Sequence, residues 1–245
     1  MTMRSRSDTE ARASGFDATL ETGFNWVLER LRWVLALLGV VLVVGAGVAI
    51  SHDRRTQGEN DAQLALRQVE AGFSLAMGSP ADEIWVTEPA NPEQAQRGRG
   101  EALARFEAVS LEHPGTRAAQ LAQLRAAEME VELERWPDAE TRLTDLVSEL
   151  EEQDLLRAVA LRLLGYSQEQ QERFAEAGES YEQAVLPGLY PAAGSVWLQA
   201  GASFARAGAI ERAVGAYQKV LSIDPELAEQ SGAVERLSEL AALAR

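Results

Sequence analysis

One spacing recurs four times along the chain and constrains its fold more than any other feature. An alanine is followed four residues on by a bulky side chain and seven on by a small or apolar one. The occurrences are Ala102–Phe106–Val109, Ala139–Leu143–Leu146, Ala177–Tyr181–Ala184 and Ala213–Tyr217–Val220, with starts 37, 38 and 36 residues apart. Steps of four and seven place the three side chains on one face of a helix. A repeat of this length holds a pair of helices, which cannot bury its apolar face alone. The pattern therefore predicts a stack of helix pairs in which each pair covers the next. Pro114 and Pro225 each fall twelve residues after the alanine of their copy. From Glu101 onward the chain has no strand pattern, and 41 alanines favour helix throughout.

These residues resemble the tetratricopeptide repeat, a 34-residue pair of antiparallel helices. The fullest copy is 193–227, where Trp197, Gly201, Phe204, Gly208, Ala213, Tyr217 and Pro225 fall at family positions and Ala200 replaces the usual leucine. The copy at 158–191 keeps Leu161, Leu164, Gly165, Ala177, Tyr181 and Ala184, then inserts Pro187-Gly188-Leu189-Tyr190-Pro191. The copy at 120–153 retains mainly Ala127, Trp136, Ala139, Leu143 and Leu146. The first copy has only its second helix in register, so its first helix is expected at 59–77, where Leu66, Val69, Phe73 and Met77 recur at helical spacing. Small residues at Gly165, Ala177, Gly201 and Ala213 let helices approach closely, and the aromatics fill the space beside them. Asp224-Pro225-Glu226 reads as a helix start, with an N-cap, a proline in the first turn and an acid behind it. It opens a terminal capping helix expected over about 225–244, with Leu227, Val234, Leu237 and Leu240 inward. The fold class expected is all-α: one N-terminal transmembrane helix, then a solenoid of three to four helix pairs and a C-terminal cap.

The transmembrane expectation rests on Trp33–Ile50, eighteen residues without a charged or strongly polar side chain. As a helix this run spans ~27 Å, close to the ~30 Å of a bilayer core. Thirty-two residues precede it, more than the n-region of a secretory signal, so an uncleaved anchor is expected. Arg30 and Arg32 flank one end and Arg54 and Arg55 the other; Arg4, Arg6 and Arg12 tip the balance toward an inside N-terminus. Residues 1–32 read as a cytoplasmic tail containing an amphipathic helix (Phe16, Leu20, Phe24, Val27, Leu28, Leu31). Residues 51–100 read as a helix plus a Pro-rich loop at 78–97 that carries Ile84-Trp85-Val86, and 101–245 as the repeat domain. The formal charge of −15 lies entirely beyond Ile50.

That charge, with no clustered basic surface, excludes a nucleic-acid binder. The absence of cysteine excludes disulfides, thiolate nucleophiles and thiolate metal sites, and the two histidines, His52 and His113, do not make a metal centre. No phosphate-binding loop, dinucleotide fingerprint or nucleophile elbow occurs. The carboxylate runs Glu128, Glu130, Glu132, Glu134 and Glu149, Glu151, Glu152, Asp154 read as solvated helix faces. No catalytic, metal or cofactor residue is assigned, and the chain reads as a binding protein rather than an enzyme.

The tetratricopeptide resemblance implies where binding would occur. In that family the first helix of each pair lines a concave groove. Register places Leu121, Leu124, Glu128 and Val131 there from one copy, Val159, Arg162, Tyr166 and Glu169 from the next, and Ser195, Leu198, Ala202 and Ala205 from the third. The Lys and Asn with which some members grip a terminal carboxylate are missing, so no such clamp is expected. An apolar groove with an acidic rim suits an amphipathic helix or an unfolded segment. The layout of tail, membrane helix and degenerate repeats, with His113-Pro114-Gly115-Thr116-Arg117-Ala118-Ala119 ahead of a helix, also resembles the ancillary subunit family of the bacterial Sec translocon and cell-division coordinator proteins. That resemblance implies an inner-membrane protein with periplasmic repeats, and translocon or envelope proteins as partners. A homo-oligomeric scaffold in envelope biogenesis or division is the alternative.

Overall fold

Side-chain caps set the starts of four of the described helices. The computed structural model describes residues 56–78, 91–186 and 192–243. Helix α1 covers 56–76. Helix α2 is Pro92–Glu112, and the Asn91 side chain caps it by accepting from the Glu93 N–H at 3.0 Å. Proline suits the first turn, where its missing N–H leaves no bond unmade. The Asn-Pro-Glu start carries the helix back through residues assigned from sequence to the Pro-rich loop, so the expected boundary at 100/101 falls inside α2. Helix α3, Arg117–Glu132, starts on Thr116, whose hydroxyl accepts from the Ala119 N–H at 3.1 Å. The Glu59 carboxylate of α1 accepts from the Arg117 and Ala118 N–H groups of α3 at 2.8 and 3.2 Å. An acid at a helix N-terminus is favourable, and here it also ties one pair to the next.

Helices α4 (Trp136–Glu149), α6 (Phe174–Ala184) and α8 (Ile210–Ile223) have no side-chain cap. Each follows α3, α5 (Leu155–Gln170) or α7 (Ala193–Arg206) through the same tight turn. The Arg135, Arg173 and Ala209 N–H groups donate back to the carbonyls of Glu130, Gln168 and Phe204 at 2.8, 2.9 and 2.9 Å. This six-to-one closure is a Schellman turn and needs one left-handed residue. Glu134 (φ 59°), Glu172 (φ 60°) and Gly208 (φ 73°) fill that place. Only the third is the residue type that adopts it without strain.

The pairs α1/α2, α3/α4, α5/α6 and α7/α8 stack in chain order. Their apolar residues form two clusters. The first joins α1, α2 and α3 around Leu66, Leu103, Phe106 and Met129. The second runs from Leu124 and Ala127 of α3 through Leu143, Leu161, Tyr181, Phe204 and Tyr217 to Ala233. Helix α3 serves both, with Ala118, Ala122 and Ala126 on one side and Leu124 and Ala127 on the other. The close approaches expected from small residues are present. A Cβ on Gly165 would stand 2.9 Å from the Tyr181 ring, and one on Gly201 would stand 3.0 Å from the Tyr217 ring. Both tyrosines are fully buried. A third contact of this kind was not anticipated: Gly178 of α6 faces Phe204, whose ring would lie 2.4 Å from an added Cβ.

The C-terminal cap departs from expectation. Instead of one helix it is α9 (Pro225–Gln230) and α10 (Ala233–Leu243), divided at Gly232, which has φ +71°. The Asp224 cap is as read, its side chain accepting from the Leu227 N–H at 2.9 Å. Leu227, Leu237 and Leu240 pack on the second cluster. Val234 is exposed, because Ala233, four residues before Leu237, takes the inward place at the start of α10. The N-terminal tail, Trp33–Ile50, Ile84–Val86 and the 187–191 insert lie outside the described residues. Among the described residues no helix is long and apolar enough to cross a membrane.

Candidate protein-interaction surfaces

The twelve residues assigned to the concave groove divide into three groups. Leu124 is buried in the second cluster and is not available to a partner, because α3 turns that side chain toward α4 and α5. Val131, Val159, Leu198 and Ala205 are half-buried and pack on the same cluster. Their apolar character serves the contact between pairs first. Leu121, Arg162, Tyr166 and Ser195 are exposed, while Glu128, Glu169 and Ala202 are half-buried.

Three of the polar positions are already engaged within the fold, Ser195 by donating its hydroxyl to the Ala192 carbonyl at 2.8 Å. Glu128 pairs with Arg125 at 2.8 Å, and Arg125 also reaches Glu70 of α1 at 3.3 Å. Glu169 accepts from the Tyr181 hydroxyl at 2.9 Å and from the Ser203 hydroxyl at 2.6 Å, linking α5 to α6 and α7. Burial, and then the Glu169 carboxylate, hold the Tyr181 phenol above its usual range. Beside it, Ser180 donates to the Gln168 side chain at 2.7 Å in a fully buried pair. What this face offers a partner is therefore narrower than the register implied. It centres on Arg162 and on Tyr166, whose ring meets Trp136 edge-on at 5.9 Å between centroids.

The opposite face carries a feature that sequence reasoning missed. An arginine at the start of, or within, each later second helix reaches a glutamate of the second helix before it. Arg142 of α4 bonds Glu107 of α2 at 2.5 Å, Arg173 ahead of α6 bonds Glu140 of α4 at 2.5 Å, and Arg212 of α8 bonds Glu179 and Glu182 of α6 at 2.7 Å. Arg173 also pairs with Glu176. The partners sit 35, 33 and 33 residues apart, so one repeat of separation between Arg and Glu was the signal available. Most of these pairs are solvent-exposed and contribute little each. The Arg142–Glu130 pair is different. Glu130 is 4 % exposed and meets Arg142 through two bonds, at 2.9 and 2.7 Å. Glu130 thus belongs to the interior, which corrects its reading as part of a solvated face. Glu130 first, and Glu107 after it, raise the Arg142 guanidinium above its usual value against the opposing effect of burial.

Around that pair lies a furrow of about 630 Å³, walled by α2 and α4 with Gln123 and Glu130 of α3 between them. None of the groove residues assigned from sequence lines it. Among the described residues no group of three or more His, Asp or Glu side chains is placed to hold a metal ion.

Stacked helix pairs with engaged interiors and side chains free on two faces define a helical-repeat protein-interaction module. The chain belongs to the tetratricopeptide repeat-like domain family, which it matches over residues 25–236. Among solved structures it is similar to the nearly identical TPR-like repeats from Podosopora anserina named after kinesin light chain, at 14% identity and a TM-score of 0.49, covering 74% of this chain and 98% of that one. A single-substitution form of those repeats gives 16% identity, a TM-score of 0.49, and coverage of 72% and 94%. No curated protein shows significant similarity to the chain.

Proposed function

We propose that this protein is a membrane-anchored interaction module without enzymatic activity. Trp33–Ile50 holds it in a bacterial inner membrane, and its repeats lie on the periplasmic side. There it binds protein partners during secretion or envelope assembly, with the Sec translocon as the neighbourhood. The observation that carries this reading is the extent of the family match. It begins at residue 25, so it takes in Trp33–Ile50 together with the repeats. That span supports reading the apolar run and the repeats together. The exposed Arg162 and Tyr166 on α5 give the concave face the side-chain chemistry from which interface hot spots are built.

Photo-crosslinking from Tyr166 and Leu198 in cells tests the reading. Crosslinks to translocon components or to chains in transit support it, and an absence of protein crosslinks from both positions overturns it. Protease added to spheroplasts should digest residues 51–245; protection overturns the periplasmic placement. The homo-oligomeric scaffold draws on Leu221, Ile223 and Val234, which stand exposed toward the C-terminal end of the solenoid. Crosslinks only between copies would favour it.

A further inference from the structure

The furrow between α2 and α4 is built differently from the concave face. Its α4 wall carries Asp138, Asp145 and Glu149, at intervals of seven and four residues and hence in one stripe along the helix. None of these three carboxylates has a hydrogen-bond or ion-pair partner among the described residues, unlike Glu107 and Glu130, which Arg142 neutralises in part. The α2 wall is less charged. Above the buried Leu103 it carries Glu107, Ser110 and Leu111, and Leu111 is 79 % exposed, the most exposed large apolar side chain among the described residues. One wall therefore carries three unpaired carboxylates, with Arg135 at its start and Arg142 bonded to Glu107 and Glu130, and the other is apolar at its rim. A solvated acidic face alone needs no ligand. Here an unpaired stripe and a bare leucine line one furrow, whose walls are tied by the Arg142–Glu107 pair and rest on α3.

We infer that this furrow is a second docking surface, and that its occupant is a basic amphipathic helix of a partner protein. Such a helix sets Lys or Arg against Asp138, Asp145 and Glu149 and an apolar side chain against Leu111. Charge complementarity selects this occupant. The furrow is lined by five carboxylates and two guanidinium groups, so an acidic segment is repelled and a purely apolar one leaves the stripe desolvated and unpaired. The surface is separate from the concave face, so one chain can hold two segments at once. The inference rests on the reading of the chain as a protein-interaction module.

The test uses the full chain in zwitterionic lipid nanodiscs, with empty discs as the blank. The probe is a fluorescently labelled synthetic helix with Lys on one face and Leu on the other; the same helix with Glu for Lys is its control. Anisotropy should report saturable binding of the Lys peptide, weakened at least tenfold between 50 and 300 mM salt, and none of the Glu peptide. The triple variant Asp138→Asn/Asp145→Asn/Glu149→Gln should lose at least tenfold in affinity, and Leu111→Ser should lose several-fold. A second triple variant, Glu226→Gln/Glu229→Gln/Glu235→Gln, removes the same charge from the cap and should change affinity less than twofold. Equal losses in the two triple variants would mean that only net charge is sensed and would overturn the assignment, as would binding indifferent to Leu111→Ser. Failure here with Tyr166 crosslinks intact removes the second surface and leaves the interaction-module reading standing.

Discussion

Gly178→Ala is the substitution whose sign the packing decides against helix propensity. Gly178 lies inside α6, where alanine is favoured over glycine by ~1 kcal/mol in the absence of any contact. The contact is severe, however. The new Cβ would stand 2.4, 2.5 and 2.8 Å from three carbons of the Phe204 ring, against an optimum near 3.5–4.0 Å. The ring would have to move by about 1 Å. It has little room, since Phe204 is 1 % exposed and the Arg212 guanidinium sits 4.0 Å above it. Overpacking of this kind costs ~1–3 kcal/mol, and a ring closed in on both sides belongs near the upper end. The net expectation is a loss of about 2 kcal/mol. Gly215 in α8 is the control: nothing lies within 4 Å of its Cβ direction, so Gly215→Ala should gain up to ~1 kcal/mol. Urea unfolding followed by far-ultraviolet circular dichroism measures both. In thermal melts, Gly178→Ala should fall by roughly 4–8 °C and Gly215→Ala should rise by roughly 2–4 °C. Adding Phe204→Leu to Gly178→Ala should recover part of the loss. If Gly178→Ala proves as stable as Gly215→Ala, the packing argument is refuted.

Three further outcomes follow from the same contacts. Arg142→Met should cost ~3 kcal/mol in urea unfolding, because it leaves the buried Glu130 carboxylate unpaired, whereas Arg142→Met/Glu130→Met should be close to wild type. Glu134→Gly and Glu172→Gly should each raise stability by ~0.5–1 kcal/mol, because glycine takes the left-handed turn without strain; an unchanged or lower midpoint would refute this. Arg117, with help from the Leu156 N–H and against burial, holds the Asp154 carboxyl below its usual range, so the pair's contribution is complete above the unfolded value near ~3.9 and is lost as pH falls through the lower folded value. Asp154→Asn keeps an acceptor for the Leu156 N–H, so its deficit of ~0.5–1 kcal/mol at pH 7 should close below about pH 4, whereas Asp154→Ala should also lose the cap, ~1 kcal/mol more, at every pH.

The helix pairs were legible because their determinants are local. Ala177 with Tyr181 and Ala213 with Tyr217 announce a close crossing, and Asp224-Pro225 announces a helix start, each within a few residues. The extent of α2 was hidden because Pro89 and Pro92 look alike in sequence, yet only the second sits behind an asparagine that can cap. Val234 was misplaced because the smaller Ala233 beside it stands four residues before Leu237 on the inward face. The break at Gly232 was hidden for another reason. A six-residue helix and a left-handed glycine are too short to alter an apolar pattern that continues across them. The binding faces were less legible still. Register names the residues on the first helices, but whether Leu124 or Val131 faces a partner or a neighbouring pair depends on how far apart adjacent pairs stand. Glu130 shows the limit most plainly, since four alternating glutamates look equivalent until one of them is found beneath Arg142.

The division of the apolar core has a bearing on how the chain is made. The first cluster is complete within residues 62–133 and takes nothing from further along. Its three helices can therefore close on one another while the rest of the chain is still being delivered, whether from a ribosome or through a membrane pore. Each later helix then finds its partner already in place immediately upstream, and loop closure never has to span more than about one repeat. Assembly that proceeds from the N-terminus in this way keeps short the time any apolar face waits uncovered. The second face of α3 is the edge on which the remaining pairs are laid.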